Sequence, residues 1–210
     1  MSEACLLLTQ FFAALPRFSS TFNDTDIPRN GIYVVFERGE TAHATDRIVR
    51  IGTHTGYSQL PSRLHQHFTQ ENKDRSIFRK NIGRAALHRD NNPLLHYWDL
   101  DLTSRQNREQ YASSVLQEQQ ATIEHAVTCY IQEYLSFTVI PIELVLDRLA
   151  LESRLIATVA ACDTCKPSLG WIGNFSPNQK IRTYGLWLVN GLFHQPLTRF
   201  EAEELYCKWL

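Results

Sequence analysis

Two β-branched and aromatic runs stand close together near the start of the chain: Asn30-Gly31-Ile32-Tyr33-Val34-Val35-Phe36-Glu37 and Asp46-Arg47-Ile48-Val49-Arg50-Ile51-Gly52-Thr53-His54. The short segment between them contains Gly39, so the pattern predicts an antiparallel hairpin. Each run also carries polar residues that a purely structural strand does not need. Tyr33, Arg50 and His54 are thereby gathered at one small sheet.

The remaining hydrophobic pattern is mostly helical. Cys5 to Leu15 reads as an amphipathic packing helix. Leu60 to Gln70 places Leu60, Leu64 and Phe68 at i, i+4 and i+8, with Pro61 acceptable in a first turn. A short helix is predicted from Arg75 to His88, with Asp74 as its cap. Asp90-Asn91-Asn92-Pro93 breaks the chain, and alternation at Trp98, Leu100 and Leu102 fits a short strand. Glu109 to Tyr134 is the longest helical stretch, Ser136 to Ile140 a third strand, and Pro141 to about Ala161 a further helix. Tyr184 to Val189 reads as extended. Phe200 to Leu210 reads as a C-terminal helix, with Thr198 and Glu201 spaced as a capping box. The expectation is an α+β chain: one domain over 1–210, with a mainly helical acidic insertion at about 90–135 and an extension from about 176.

Composition narrows the class. With 43% hydrophobic and 20% charged residues, the chain falls among ordinary soluble globular proteins. The apolar N-terminal run is too short to span a bilayer, lacks a basic flank, and leaves nothing that marks the chain for export, so a cytoplasmic location is expected. Five cysteines without a secretion signal argue against a disulfide framework. Only Cys162 and Cys165 are close in sequence; a single C-x-x-C with no second pair is weak evidence for zinc, and two buried thiols at a helix end are expected.

Net charge of −1 hides an asymmetry. Residues 47–89 carry +7 and residues 91–152 carry −6. A basic segment is the footprint of phosphate-backbone binding, although two solvated faces that pair with each other would give the same pattern.

The helix from Pro141 has its main apolar stripe at Val145, Leu149, Ile156 and Val159, and Glu152 falls in the middle of it. A carboxylate on a buried face must be neutralised, paired or metal-bound. Arg63 and His67 share a face at i and i+4 directly after the hairpin. Together with Tyr33 and Glu152 they make a set suited to phosphodiester hydrolysis. The carboxylate would hold a hard cation such as Mg²⁺, the guanidinium would stabilise charge on the non-bridging oxygens, and a phenol or an imidazole would take the proton of the attacking water. A phenol serves as a base near neutral pH only beside positive charge, for which Arg50, Arg63 and a protonated His67 are candidates; His67 is itself a candidate base.

Gly31-Ile32-Tyr33 on a first strand, Arg50-Ile51-Gly52 on a second, Arg63 on the next helix and Glu152 on a later one resemble the GIY-YIG endonuclease superfamily, over roughly residues 28–90 and 136–175. The further pattern Arg50-Ile51-Gly52-Thr53-His54, with Arg63-Leu64-His65-Gln66-His67, looks like a bacterial branch of it. The resemblance implies a small central antiparallel sheet flanked by helices, and an endonuclease acting on double-stranded DNA, with Mg²⁺ as cofactor and Mn²⁺ as a substitute. Tyr33 matches the tyrosine that acts as base or positions water, Arg63 the arginine that contacts the scissile phosphate, and Glu152 the metal-ligating glutamate. His67 is similar to a histidine of some restriction-enzyme members, and His54 joins the expected catalytic set. Arg79 is expected to contact DNA phosphate. Two positions depart from the family pattern. Arg50 replaces the second-motif tyrosine, which leaves open a nucleic-acid-binding module without catalysis. The asparagine expected after the metal glutamate would fall at Thr164, so Asn174 is the candidate substitute.

Overall fold

The computed structural model describes residues 2–102, 104–111 and 114–209. The two opening runs form a hairpin, with strands longer than the pattern indicated: β1 covers Gly31–Ala42 and β2 covers Thr45–Gly52. Gly39 is therefore not the turn. It lies inside β1 at φ +90°, within the stretch between Glu37 and Thr41 where the register shifts. The chain reverses at His43-Ala44, both left-handed at φ 52° and 62°, as a two-residue hairpin turn demands. A third strand, β3 (Leu135–Pro141), pairs antiparallel with the other edge of β1, giving the order β2-β1-β3.

Helices cover both faces of this sheet, which makes the architecture α+β. Period-two alternation sends Ile32, Val34 and Phe36 to one face. There they pack with Leu8, Phe11 and Phe12 of α1 (Ser2–Ala14) and Leu155 and Val159 of α7 (Val145–Ala160). Tyr33 and Val35 point to the other face. They meet Leu64 and Phe68 of α2 (Leu60–Phe68), Phe78 and Ile82 of α3 (Ile77–Arg89), and Val127 and Ile131 of α6 (Ser114–Tyr134). Because Tyr33 pairs with Gly52 and Val35 with Arg50, both Gly52 and Arg50 share the tyrosine's face.

Several elements differ from the pattern for identifiable reasons. The cap of α3 is Ser76, whose Oγ accepts from the Arg79 amide at 3.2 Å, while Asp74 pairs with Lys73 and Lys80. Trp98 ends a short helix, α4 (Leu95–Trp98), rather than sitting in a strand. Its indole is buried against Gly83 and donates to the Lys80 carbonyl at 3.0 Å, so one anchor residue had mimicked alternation. The long helical stretch comprises α5 (Arg105–Tyr111) and α6, with residues 112–113 outside the described ones. The piece at 184–189 is not a strand. Helix α8 (Gln179–Tyr184) stops at Gly185, at φ +67°, and the irregular run beyond it buries Leu186, Trp187 and Leu188. Trp187 donates its amide to the Val49 carbonyl at 2.7 Å. The capping box does form at the start of α9 (Arg199–Trp209): the Glu201 amide donates to Thr198 Oγ1 at 3.3 Å and the Thr198 amide to Glu201 Oε2 at 2.8 Å. Among the described residues no helix is long and apolar enough to cross a membrane.

The stripe on α7 is also rearranged. Val145 and Leu149 are each 38% exposed, and Arg148, Leu155, Ile156 and Val159 are the buried side. The first turns of α7 stand off the core, and Glu152 falls at its margin, half-buried.

Candidate active site

The site is built where β2 ends. A Cβ at Gly31 would overlap the Ile140 carbonyl oxygen of β3, and one at Gly52 would overlap the Tyr33 hydroxyl. The first glycine lets two strands close up and the second makes room for a phenol. The Tyr33 side chain is fully buried. Its Oη lies 2.8 Å from His67 Nε2 and accepts a hydrogen bond from Arg50 Nε at 3.2 Å. His67 is fully buried on α2, and its Nδ1 lies 2.7 Å from the Ser76 Oγ that caps α3.

Burial holds His67 well below the ordinary imidazole range, and Arg50, Arg63 and Arg79 push the same way. A protonated His67 is therefore not the source of positive charge beside Tyr33, contrary to one of the sequence expectations; the neutral ring shares a hydrogen bond with the Tyr33 hydroxyl. Arg50 supplies the charge. Its Nη1 donates to the Trp187 carbonyl at 2.6 Å, and its guanidinium lies over the Phe78 ring at 4.9 Å. The side chain that stands in for the second tyrosine thus holds the first tyrosine's hydroxyl.

Glu152 reaches the same region from α7. Its Oε1 accepts from the Thr53 amide at 3.0 Å. Burial pushes its carboxyl up, and the pull of Arg50, the Thr53 amide and Arg63 does not cancel that push. Among the described residues no cationic side chain pairs with it within 4 Å. It borders two cavities. One, of about 400 Å³, is lined by Thr53, His54, Gln59, Arg63 and Gln66. The other, of about 330 Å³, is lined by Arg50, Asn81, Asn190 and His194. A half-buried carboxylate without a contact cation, facing open space, fits a hard divalent ion that keeps most of its ligands as water or phosphate oxygens. Arg63 faces the first cavity, with its Nη1 donating to Gln66 Oε1 at 2.9 Å and to the Arg75 carbonyl at 3.0 Å.

Three expected site residues have other tasks. His54 Nδ1 donates to the Gly56 carbonyl at 2.7 Å and its Nε2 accepts from the Gly31 amide at 3.4 Å. Both nitrogens are occupied by backbone, so His54, which lines the first cavity, pins the loop after β2 to the start of β1. Arg79 is fully buried. It pairs with Glu124 of α6 at 3.1 Å and donates to the His67 carbonyl and to Thr128 Oγ1, so it cannot contact DNA phosphate. Asn174 lines neither cavity, and its amide donates to the Ser168 and Leu169 carbonyls at 2.8 and 3.2 Å.

The basic segment is largely consumed within the fold. Arg47, Lys73, Arg79, Lys80, Arg84 and Arg89 are in ion pairs. Among the described residues of that segment, Arg50, Arg63 and Arg75 remain outside ion pairs, and the first two face Glu152. Thr53, part of the Arg50–His54 pattern, joins the site through its amide, and Ser76, Asn81, Asn190 and His194 join it without having been anticipated. Of the latter, Ser76 alone had a signal, as a capping residue directly before a helical run.

A strand beginning Gly-Ile-Tyr, a second ending Ile-Gly, a helix arginine and a helix glutamate are thus gathered at one end of the sheet, where Glu152 borders one cavity with Arg63 and another with Arg50 and Ile51. The family model described as "GIY-YIG domain" matches residues 8–200. The chain belongs to the GIY-YIG family. A search of curated proteins and one of solved structures returned no match. GIY-YIG domains are generally divalent-metal-dependent endonucleases acting on DNA, and the three-stranded sheet flanked by helices is the fold expected of a GIY-YIG nuclease.

Proposed function

We propose that this GIY-YIG protein hydrolyses phosphodiester bonds of double-stranded DNA in the cavity between the loop after β2, α2 and α7. The observation that carries this reading is Glu152: a half-buried carboxylate with no paired cation among the described residues, lining one cavity with Arg63 and a second with Arg50, whose Nε–H holds the Tyr33 hydroxyl. Glu152 would hold one Mg²⁺, or Mn²⁺ in its place. Such an ion, when bound, supplies positive charge to a phosphoryl oxygen. Arg63 donates to the non-bridging oxygens, whose charge grows as the water oxygen bonds to phosphorus and the bond to the leaving oxygen breaks. The proton lost by water passes to the Tyr33–His67 pair, whose ring Ser76 fixes and whose phenol oxygen Arg50 Nε–H stabilises.

The alternative reading, DNA binding without cutting, draws on one observation: Tyr33 has no exposed surface, and Arg50 covers its hydroxyl. A supercoiled-plasmid assay with a metal titration separates the two. Nicking or linearisation with Mg²⁺ or Mn²⁺, abolished by chelator, is expected. DNA retention at low salt with no cutting at any metal concentration would leave the binding module, and no affinity at all would remove both.

A further inference from the structure

On the face of the sheet away from Tyr33, four side chains converge that the nuclease reading does not use. Cys5 comes from α1, His43 from the turn between β1 and β2, and Cys162 and Cys165 from the 3₁₀ turn after α7. One ligand atom of each lies within 4.8 Å of all the others. Cys5 Sγ is 3.4 Å from Cys165 Sγ, and His43 Nε2 is 3.3 Å from Cys162 Sγ. The three thiols are buried in the apolar core formed by α1, α7 and the sheet.

We propose that Cys5, His43, Cys162 and Cys165 form a closed structural Zn²⁺ site. Zn–S bonds of about 2.3 Å and Zn–N bonds of about 2.0 Å in a tetrahedron put sulfurs about 3.8 Å apart and nitrogen about 3.5 Å from sulfur, so the observed spacings need only small adjustments. Three thiolates and one imidazole match the donor preference of zinc, and four protein ligands leave no open position for substrate or water. A disulfide accounts for less. Joining Cys5 to Cys165 would leave Cys162 and His43 facing each other with no shared role. His43 adds a second observation, since from the hairpin tip its ring is directed at the cysteines.

The site would tie together three parts of the chain that are remote in sequence: the N-terminal helix, the hairpin tip and the end of α7. Helix α7 carries Glu152, so zinc would fix the register of the helix that presents the catalytic carboxylate. The proposal does not depend on nuclease activity. Its test is a metal analysis of the intact chain, purified without chelator from zinc-supplemented culture. About one zinc per chain is expected, released by a thiol-specific mercurial. Replacement by Co²⁺ should give thiolate-to-cobalt charge-transfer bands and the intense visible bands of a tetrahedral ion. His43→Asn retains a residue that tolerates the left-handed turn, and should lower zinc retention at least about tenfold, because binding loses one of four ligands. Cys207→Ser, at an exposed cysteine outside the cluster, should leave the zinc content unchanged. A folded parent protein with no stoichiometric zinc and no tetrahedral cobalt spectrum would overturn the site, as would a Cys5–Cys165 disulfide found by non-reducing peptide mapping. So would a His43→Asn variant that keeps its zinc.

Discussion

Glu152 and His67 are both ionisable, both removed from water, and shifted in ways that oppose their charged forms. For Glu152 the carboxyl is raised in the folded state. Below the carboxylate range of the unfolded chain the group is neutral in both states and costs nothing. As pH rises past that range the folded state is penalised for ionising it. In chelator near neutral pH, Glu152→Gln is therefore expected to melt at a higher temperature than the parent, and the gap should close when pH is lowered toward about 4. For His67 the sign is the other way. Its imidazole is lowered on folding, so stability is full above the ordinary histidine range, near pH 6.5, and is lost as pH falls below it and the unfolded chain takes up a proton that the folded chain refuses. His67→Gln should flatten that loss, which thermal melts of both proteins at several pH values would show. Tyr33, Arg63 and Glu152 could be nominated from the sequence because residue type and order single them out. The burial that neutralises His67 was not legible there, since it depends on α3 and on arginines that arrive from three elements.

At the scale of elements, the hairpin and α2 followed from apolar spacing, and their polar residues marked the site. What the spacing could not give was the turn. Gly39 has the residue type for it, whereas His43 and Ala44 occupy it, with His43 Nε2 3.3 Å from Cys162 Sγ beyond the end of α7. Likewise Cys162 and Cys165 were visible as a pair, but Cys5 and His43 are brought to them only by the fold. Gly52 gives a direct check on how β2 serves the site. Gly52→Ala would drive a methyl group into the Tyr33 hydroxyl, and a cost of about 1–3 kcal/mol is expected from overpacking. Denaturant melts measure that cost. Loss of cutting in excess of the stability change would show that the Tyr33–His67 contact, and not folding alone, is disturbed.

Across the whole molecule, most cations of the basic segment are in ion pairs, Arg79 and Arg84 with Glu124 and Asp99 of the acidic segment and the others with Glu40, Asp74 and Asp90, so the local charge excess is not by itself a free DNA-binding face. The Arg79–Glu124 pair, with side chains 0% and 9% exposed, joins α3 to α6 and carries part of that neutralisation inside the fold. Glu124→Ala leaves a buried guanidinium unpaired, and a loss of about 3–5 kcal/mol is expected in equilibrium unfolding. DNA affinity should instead follow the cations left outside ion pairs. Arg63→Ala and Arg75→Ala are each expected to lower the salt dependence of DNA binding by about one unit of slope, and Arg84→Ala, whose partner is Asp99, by much less. A fluorescence anisotropy titration at several salt concentrations reads this directly.

The claim that joins these scales is that Glu152 is the metal-holding carboxylate of a nuclease. Plasmid cleavage by Glu152→Gln against the parent, at saturating Mg²⁺ and matched fold by circular dichroism, tests it most directly. A loss of at least about a hundredfold in cutting rate, with DNA binding retained, is expected. Equal cutting by the two proteins would contradict it.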